Sequence, residues 1–136
     1  MGKNRFKKGR RKRPDPNIFL LQNTPFGNVI FTKERYNNHL QYHPELQSPE
    51  FISKVKTSIY NPEKVFFSSR YPINTNLIIY NKIEKSYNPI NPMYNARYVK
   101  IVIVRKRNPR KVATAFERDI IKEKKMFYPN KYGRYV

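Results

Sequence analysis

The sequence has no cysteine and no tryptophan, and only 9 Asp and Glu stand against 29 Lys and Arg. Without cysteine there is no disulfide framework and no thiol chemistry. That fits a reducing compartment, and a cytoplasmic location is expected. The shortage of acids leaves a formal charge of +20, too large an excess for an ordinary enzyme of small neutral substrates. It favours a polyanionic partner, of which nucleic acid is the commonest. No apolar run approaches the ~20 residues of a membrane span. The basic N-terminus is not followed by the apolar stretch of a secretory signal, so no membrane association is expected. At 136 residues the chain suffices for one domain with a modest core.

Aromatic residues are abundant: 11 Tyr and 9 Phe. Many must serve the core, since Leu and Ala are scarce. Tyrosine beside Arg and Lys also suits base stacking and phosphate contact. Residues 1–17, MGKNRFKKGRRKRPDPN, form a basic tail that includes Arg10, Arg11, Lys12 and Arg13, with Asp15 its single acid. Such a run repels itself, is expected to be disordered alone, and can grip phosphates without reading sequence. Without residues 1–13 the chain keeps 21 basic and 9 acidic residues, a charge of +12. The positive field therefore belongs to the folded body as well. The expected division is a tail at 1–17, a single domain at 18–120 and a basic, aromatic extension at 121–136.

Both histidines lie in residues 32–46, TKERYNNHLQYHPEL. Thr32 is suited to cap a helix, Pro44 to end it, and the interval spans about three turns. Arg35, His39 and His43 then share one face at i, i+4, i+8, with Tyr36 and Leu40 beside them facing a core. A histidine can take or give a proton near neutral pH, and an arginine can grip a phosphate with two prongs. The same spacing is equally that of a solvated helix face. An HxxxH pair can also bind zinc, but cysteine is absent and no Asp or Glu stands at an obvious third-ligand spacing. No metal and no cofactor is expected.

A second helix is expected from Ser48 or Pro49 to Tyr60, capped by Ser48 with Pro49 at its first position. Residues 18–22 read as a short strand or a peptide packed on the body, and strands are expected at 28–32, then at 64–69, 77–84, 97–105 and 111–116, by β-period alternation. Asn108-Pro109, flanked by Arg105, Lys106, Arg107, Arg110 and Lys111, reads as a basic hairpin tip for nucleic acid. Residues 117–125 suggest a short helical turn. The order implies an α+β fold, with two N-terminal helices packed on a roughly four-stranded antiparallel sheet. A basic cleft should lie between the first helix and the sheet.

Lys100 interrupts an apolar strand and is either on a solvated face or held in a site. Thr114 breaks the pattern of KVATAF, either as a β-former or as a hydroxyl for a phosphate oxygen. Arg70 and Tyr80 are further candidates, with loop charge and core aromatic as the plain alternatives. If Arg35, His39, Lys100 and Thr114 converge, they supply a base, two cations and a hydroxyl. That set can activate a ribose 2′-OH and neutralise the phosphorane without metal.

The order of VIFTKERYNNHLQYHPEL, YNPEKV, LIIYNK, YVKIVIV and VATAF resembles the barnase–EndoU–colicin–RelE-like ribonuclease superfamily, nearest its phage and mobile-element branch. The resemblance covers roughly residues 29–116. It implies helices on a four-stranded antiparallel sheet and metal-independent RNA cleavage. It would give a catalytic role to His39, and with it His43, with Arg35 and Lys100 as phosphate contacts and Thr114 on the late strand. The expected function is thus a metal-independent endoribonuclease with His39 as base and His43 or Tyr80 as acid, in a toxin or mobile-element setting. RNA would be the partner, and an acidic inhibitor or antitoxin protein would fit the charge. The alternative is a non-catalytic basic RNA-binding protein.

Overall fold

The computed structural model describes residues 17–68, 76–90 and 95–136. Arg10, Arg11, Lys12, Arg13 and Arg70, together with the tail up to residue 16, lie outside the described residues.

The fold is α+β, but not with the architecture expected. Six strands, not four, form one mixed sheet in the order β1-β2-β6-β5-β4-β3. β1 (Asn17–Thr24) and β2 (Gly27–Thr32) are an antiparallel hairpin that precedes both helices. α1 (Lys33–Leu40) and α2 (Pro49–Tyr60) follow, then the meander β3 (Lys64–Phe67), β4 (Asn76–Lys82), β5 (Tyr98–Val104) and β6 (Arg110–Arg118). The hairpin joins the meander through a parallel pairing of β2 with β6, at Val29↔Arg110 and Ile30↔Lys111. Local alternation identifies strands but not this pairing between distant segments, which is why the four-stranded antiparallel sheet with leading helices was the wrong expectation.

α1 begins where Thr32 accepts a hydrogen bond from the Arg35 amide (3.3 Å). It runs two turns, shorter than the spacing to Pro44 allows. The Tyr42 and His43 amides both donate to the His39 carbonyl (3.1 and 2.9 Å), and a single 3-10 turn, Pro44–Gln47, carries the chain on to α2. His43 precedes a proline and is accordingly non-helical (φ −134°, ψ 76°). α2 starts as expected, with Ser48 accepting from the Phe51 amide (3.3 Å) and Pro49 in the first turn.

One sheet face carries the main core. Val99, Ile101 and Ile103 of β5 and Leu77 and Ile79 of β4 are fully buried against Phe51, Val55 and Ile59 of α2, with Leu46, Val29 and Phe31. Tyr36 and Leu40 of α1 pack against the rim of this core, and the Tyr36 hydroxyl donates to the Leu46 carbonyl (3.0 Å).

The opposite face is covered by the C-terminal segment, where a helical turn was expected. β6 runs to Arg118, and the chain then crosses the face irregularly. Ile121 and Met126 pack on Phe66, Ile78 and Tyr80. The segment then lines the outer edge of β3: the Phe67 amide donates to the Lys125 carbonyl (2.9 Å) and the Phe127 amide to that of Val65 (2.8 Å). Such a cover satisfies an edge that would otherwise expose a row of backbone groups. Further on, Phe127 stacks on Phe67 (4.4 Å between ring centroids) and Tyr135 on Phe26 of the β1–β2 turn (4.8 Å). The 121–136 extension is thus laid across the body.

Beyond Lys111 the edge of β6 away from β5 has no strand partner among the described residues. Glu45, 3 % exposed, fills the gap: its carboxylate accepts from the Glu117 amide (2.8 Å). Glu45→Ala should cost about 1–3 kcal/mol, because it leaves that amide buried and unpaired. Glu45→Gln, which keeps an acceptor, should cost less. Urea unfolding of the two variants checks the difference.

Candidate functional site

One cross-strand row on the outer face of the sheet forms the centre of the site. Tyr80 of β4, Lys100 of β5 and Phe116 of β6 stand in register, Tyr80↔Lys100 and Lys100↔Phe116. The Lys100 ammonium lies 5.5 Å from the Tyr80 ring centroid and 5.7 Å from that of Phe116, within cation–π range. His43 continues the row. Its ring stacks on Phe116 at 4.5 Å with 11° between planes. His39 lies beyond it, its ring centroid 6.3 Å from that of His43 and the planes 20° apart.

His43 and Phe116 line a cavity of about 440 Å³ together with Tyr42, Glu45, Asn88, Glu117, Arg118 and Asp119. Arg118 is the residue the sequence reading missed, because the strand was ended at Phe116. In a strand continued to 118, residues 114, 116 and 118 share a face. The Arg118 Nε is buried without a hydrogen-bond partner, so a guanidinium with spare donor capacity stands in the same cavity as an imidazole. Glu117 is tied down, taking hydrogen bonds from the Ser86 hydroxyl (2.7 Å) and the Tyr87 amide. Burial lifts its pKa above the ordinary carboxylate value, these two donors oppose the lift, and the neighbouring Glu45 adds to it.

Arg35 lines a different cleft, of about 420 Å³, between α1 and the β5–β6 hairpin, with Thr32, Glu34, Asn38, Val104, Arg107, Lys111 and Ala113. Three cations against one carboxylate make it basic. Arg35 also bears on His39 electrostatically.

Lys100 and Thr114 fall in a third cavity, of about 200 Å³, with Ser68, Asn76, Ile78, Val102, Phe116 and Glu123. The sequence-predicted quartet therefore does not share one cavity. Arg35 and His39 belong to α1, Lys100 and Thr114 to the sheet, and Phe116 lines both the His43 and the Lys100 cavities. Nor is Lys100 a free cation. It is 9 % exposed and paired with Glu123 at 3.1 Å. The same carboxylate accepts from the Tyr80 hydroxyl at 2.5 Å. Burial and that bond push the Tyr80 phenol far above its usual pKa, so its proton stays in place. For Glu123, burial works against ionisation, but the bonds from Tyr80 and Lys100 prevail and hold the carboxyl below its usual range. The Thr114 hydroxyl is buried without a partner.

The basic hairpin is divided. Lys106, Arg107 and Lys111 are exposed. Arg105 and Arg110 fold back: Arg105 lies over the Phe67 and Phe127 rings (5.3 Å each) and Arg110 donates to the Tyr135 carbonyl (2.6 Å). Among the described residues no three His, Asp or Glu side chains gather as a metal cage, and no helix is long and apolar enough to cross a membrane.

Comparison with protein-family models, with curated proteins and with solved structures finds no match to this chain.

The chemistry of the site centres on the imidazoles. Burial pulls both pKa values below the ordinary 6.5; Arg35 adds to the effect at His39, and His39 adds to it at His43. A proton on His39 disfavours a proton on His43. An NMR titration should give two midpoints below 6.5, and Phe116→Ala should move that of His43 back towards it by admitting water. Because protons bind the unfolded chain more readily, the stability linked to these groups is complete above 6.5. It should decline as pH falls from 6.5 through the folded-state midpoints, which acid titration of the unfolding free energy will read.

Proposed function

We propose that the protein is a metal-independent endoribonuclease whose acid–base pair is His39 and His43. The observation that carries this reading is the pair of imidazole rings 6.3 Å apart, with Arg35 bearing on His39 and Arg118 lining the same cavity as His43. An uncharged imidazole takes the proton of a ribose 2′-OH. The 2′ oxygen attacks phosphorus, the 5′ oxygen leaves with the proton of the second imidazole, and a 2′,3′-cyclic phosphate remains. His39, the less enclosed ring, is the base in this scheme. His43, held by Phe116, is the acid. Tyr80 is set aside as the acid, since its hydroxyl is bound to Glu123. The Arg118 guanidinium, in the cavity that His43 lines, neutralises charge on the phosphorane, and Arg35 in its own cleft holds flanking phosphates together with the exposed Lys106, Arg107 and Lys111. A chain without cysteine acting on RNA suits the cytoplasm, and an acidic inhibitor protein would complement its basic surface.

One observation favours a second reading, that of an RNA-binding protein without catalysis. The sheet cation is already paired with Glu123, and Thr114 is shut inside. The histidines would then be part of a basic surface.

Incubation with a labelled structured RNA in excess EDTA separates the two. Cleavage with cyclic-phosphate ends is expected, reduced about 10²-fold or more in His39→Ala and in His43→Ala. Arg118→Ala should lower the rate while leaving the ends unchanged. Salt-sensitive binding with no cleavage would establish the second reading instead.

A further inference from the structure

The C-terminal segment does something in the site that its packing alone does not require. Apolar cover of the outer face comes from Ile121 and Met126, which pack on Phe66, Ile78 and Tyr80. Between those apolar contacts the segment places an acid, and places it against the two polar groups of the cross-strand row. The Glu123 carboxylate takes the Lys100 ammonium at 3.1 Å and the Tyr80 hydroxyl at 2.5 Å. The side chains of Lys100 and Glu123 are 11 % and 8 % exposed. In a chain with 9 acids against 29 bases, a carboxylate on the site face is an expensive choice if cover is the only purpose.

The surroundings fit an anion larger than a carboxylate. The cavity beside Glu123 holds about 200 Å³ and is lined by Ser68, Asn76, Lys100 and Thr114. The Thr114 hydroxyl is buried there with no partner. A phosphate in place of the carboxylate would keep the ammonium and phenol bonds, and a further oxygen could reach the Thr114 hydroxyl. Arg118 lies near enough to Lys100 and Tyr80 to bear on both electrostatically, so the local field favours an anion with more charge. The segment is attached without being part of a sheet strand. Around Glu123 it has no regular secondary structure, and its backbone is tied to β3 by the Phe67–Lys125 and Phe127–Val65 hydrogen bonds.

We propose that residues 119–127 form an internal mask, in which the Glu123 carboxylate occupies a phosphate site made by Lys100, Tyr80 and Thr114, and that an RNA phosphate displaces it. The structure is then the masked form of the protein. Phe116 separates this site from the His43 cavity, so a strand of RNA seated in both would pass over that ring with one phosphate on each side. The inference rests on the proposed function only for the identity of the polyanion; the mask itself does not depend on catalysis.

The test uses the full chain, with inorganic phosphate and a 2′-O-methyl RNA that 2′-hydroxyl attack cannot cut. Chloride holds the ionic strength constant. Glu123→Gln should gain thermal stability from phosphate beyond the gain of the unaltered protein, and should bind the RNA roughly tenfold tighter, the scale of one like-charge repulsion removed. Lys100→Met combined with Glu123→Gln should lose both gains. A response no greater than that of the unaltered protein, or one that survives in the double variant, overturns the proposal. Hydrogen exchange on the unaltered protein needs no variant to fold. Addition of the RNA should speed exchange of the Phe67 and Phe127 amides; unchanged or slower exchange overturns displacement. Cleavage of ordinary RNA keeps the two readings apart. Cutting without a gain in Glu123→Gln refutes the mask and keeps the nuclease. A gain in binding without cutting by either protein keeps the mask and refutes the nuclease.

Discussion

The parallel contact between β2 and β6 fixes where everything else can go. It is two residue pairs long, Val29↔Arg110 and Ile30↔Lys111. Because it is so short, the chain leaves the sheet at Thr32 while β6 still has seven residues to run, from Val112 to Arg118. Those residues keep an open edge, and α1 descends beside it. The edge needs a hydrogen-bond acceptor, which Glu45 provides, and its aromatic side chain needs cover, which His43 provides by stacking on Phe116. A longer parallel pairing would have satisfied the backbone of β6 and left no place for a histidine against the sheet. The site is thus a consequence of an incomplete strand pairing, where an unpaired edge is used for side chains instead of backbone.

The acids are scarce, and three of them are used at the site. Glu45 and Glu117 are buried and accept backbone amides on either side of β6 and the loop at Tyr87. Glu123 accepts from Lys100 and Tyr80. Three of the 9 acidic side chains are therefore turned inward around the site, where low dielectric strengthens them. Their inward position leaves the exterior more positive than the composition alone implies, which serves association with a polyanion. It also places carboxylates close to the imidazoles and guanidiniums, so the same burial that keeps the outside basic shapes the field within.

Much of the local structure was legible in the residues. The Thr32 and Ser48 caps, Pro49, and the alternation of YVKIVIV each act over a few residues, and each is found where expected. What the residues could not show was pairing between distant segments. Nothing in NVIFT states that it will lie parallel to KVATAF, and the tail KKMFYPNKYGRYV, which reads as either loose or laid across the body, does not state which face it will cover. Lys100 illustrates the limit. Its place in an apolar strand marked it as either solvated or held, and it is held, but by Glu123, 23 residues on. The histidines stand out because they are the only two in the chain; Arg118 does not, because basic residues are common and the alternation of KVATAF places no strand end at 118.

The last ingredient is a bulge. β5 and β6 pair with Val102 opposite Thr114 but Ile103 opposite Val112, so Ala113 is the extra residue. In an unbroken strand Val112, Thr114, Phe116 and Arg118 would all share one face. The sheet would then have to choose between putting Val112 in water and putting Thr114, Phe116 and Arg118 in the core. The extra residue resolves the conflict by reversing the alternation at one point. Val112 and Ala115 are fully buried in the main core, while Thr114, Phe116 and Arg118 turn to the opposite side. The apolar and the polar requirements of one short strand are thereby met on opposite faces. The face that gains the polar residues is the one that His43 reaches across the open edge and that Glu123 closes from above.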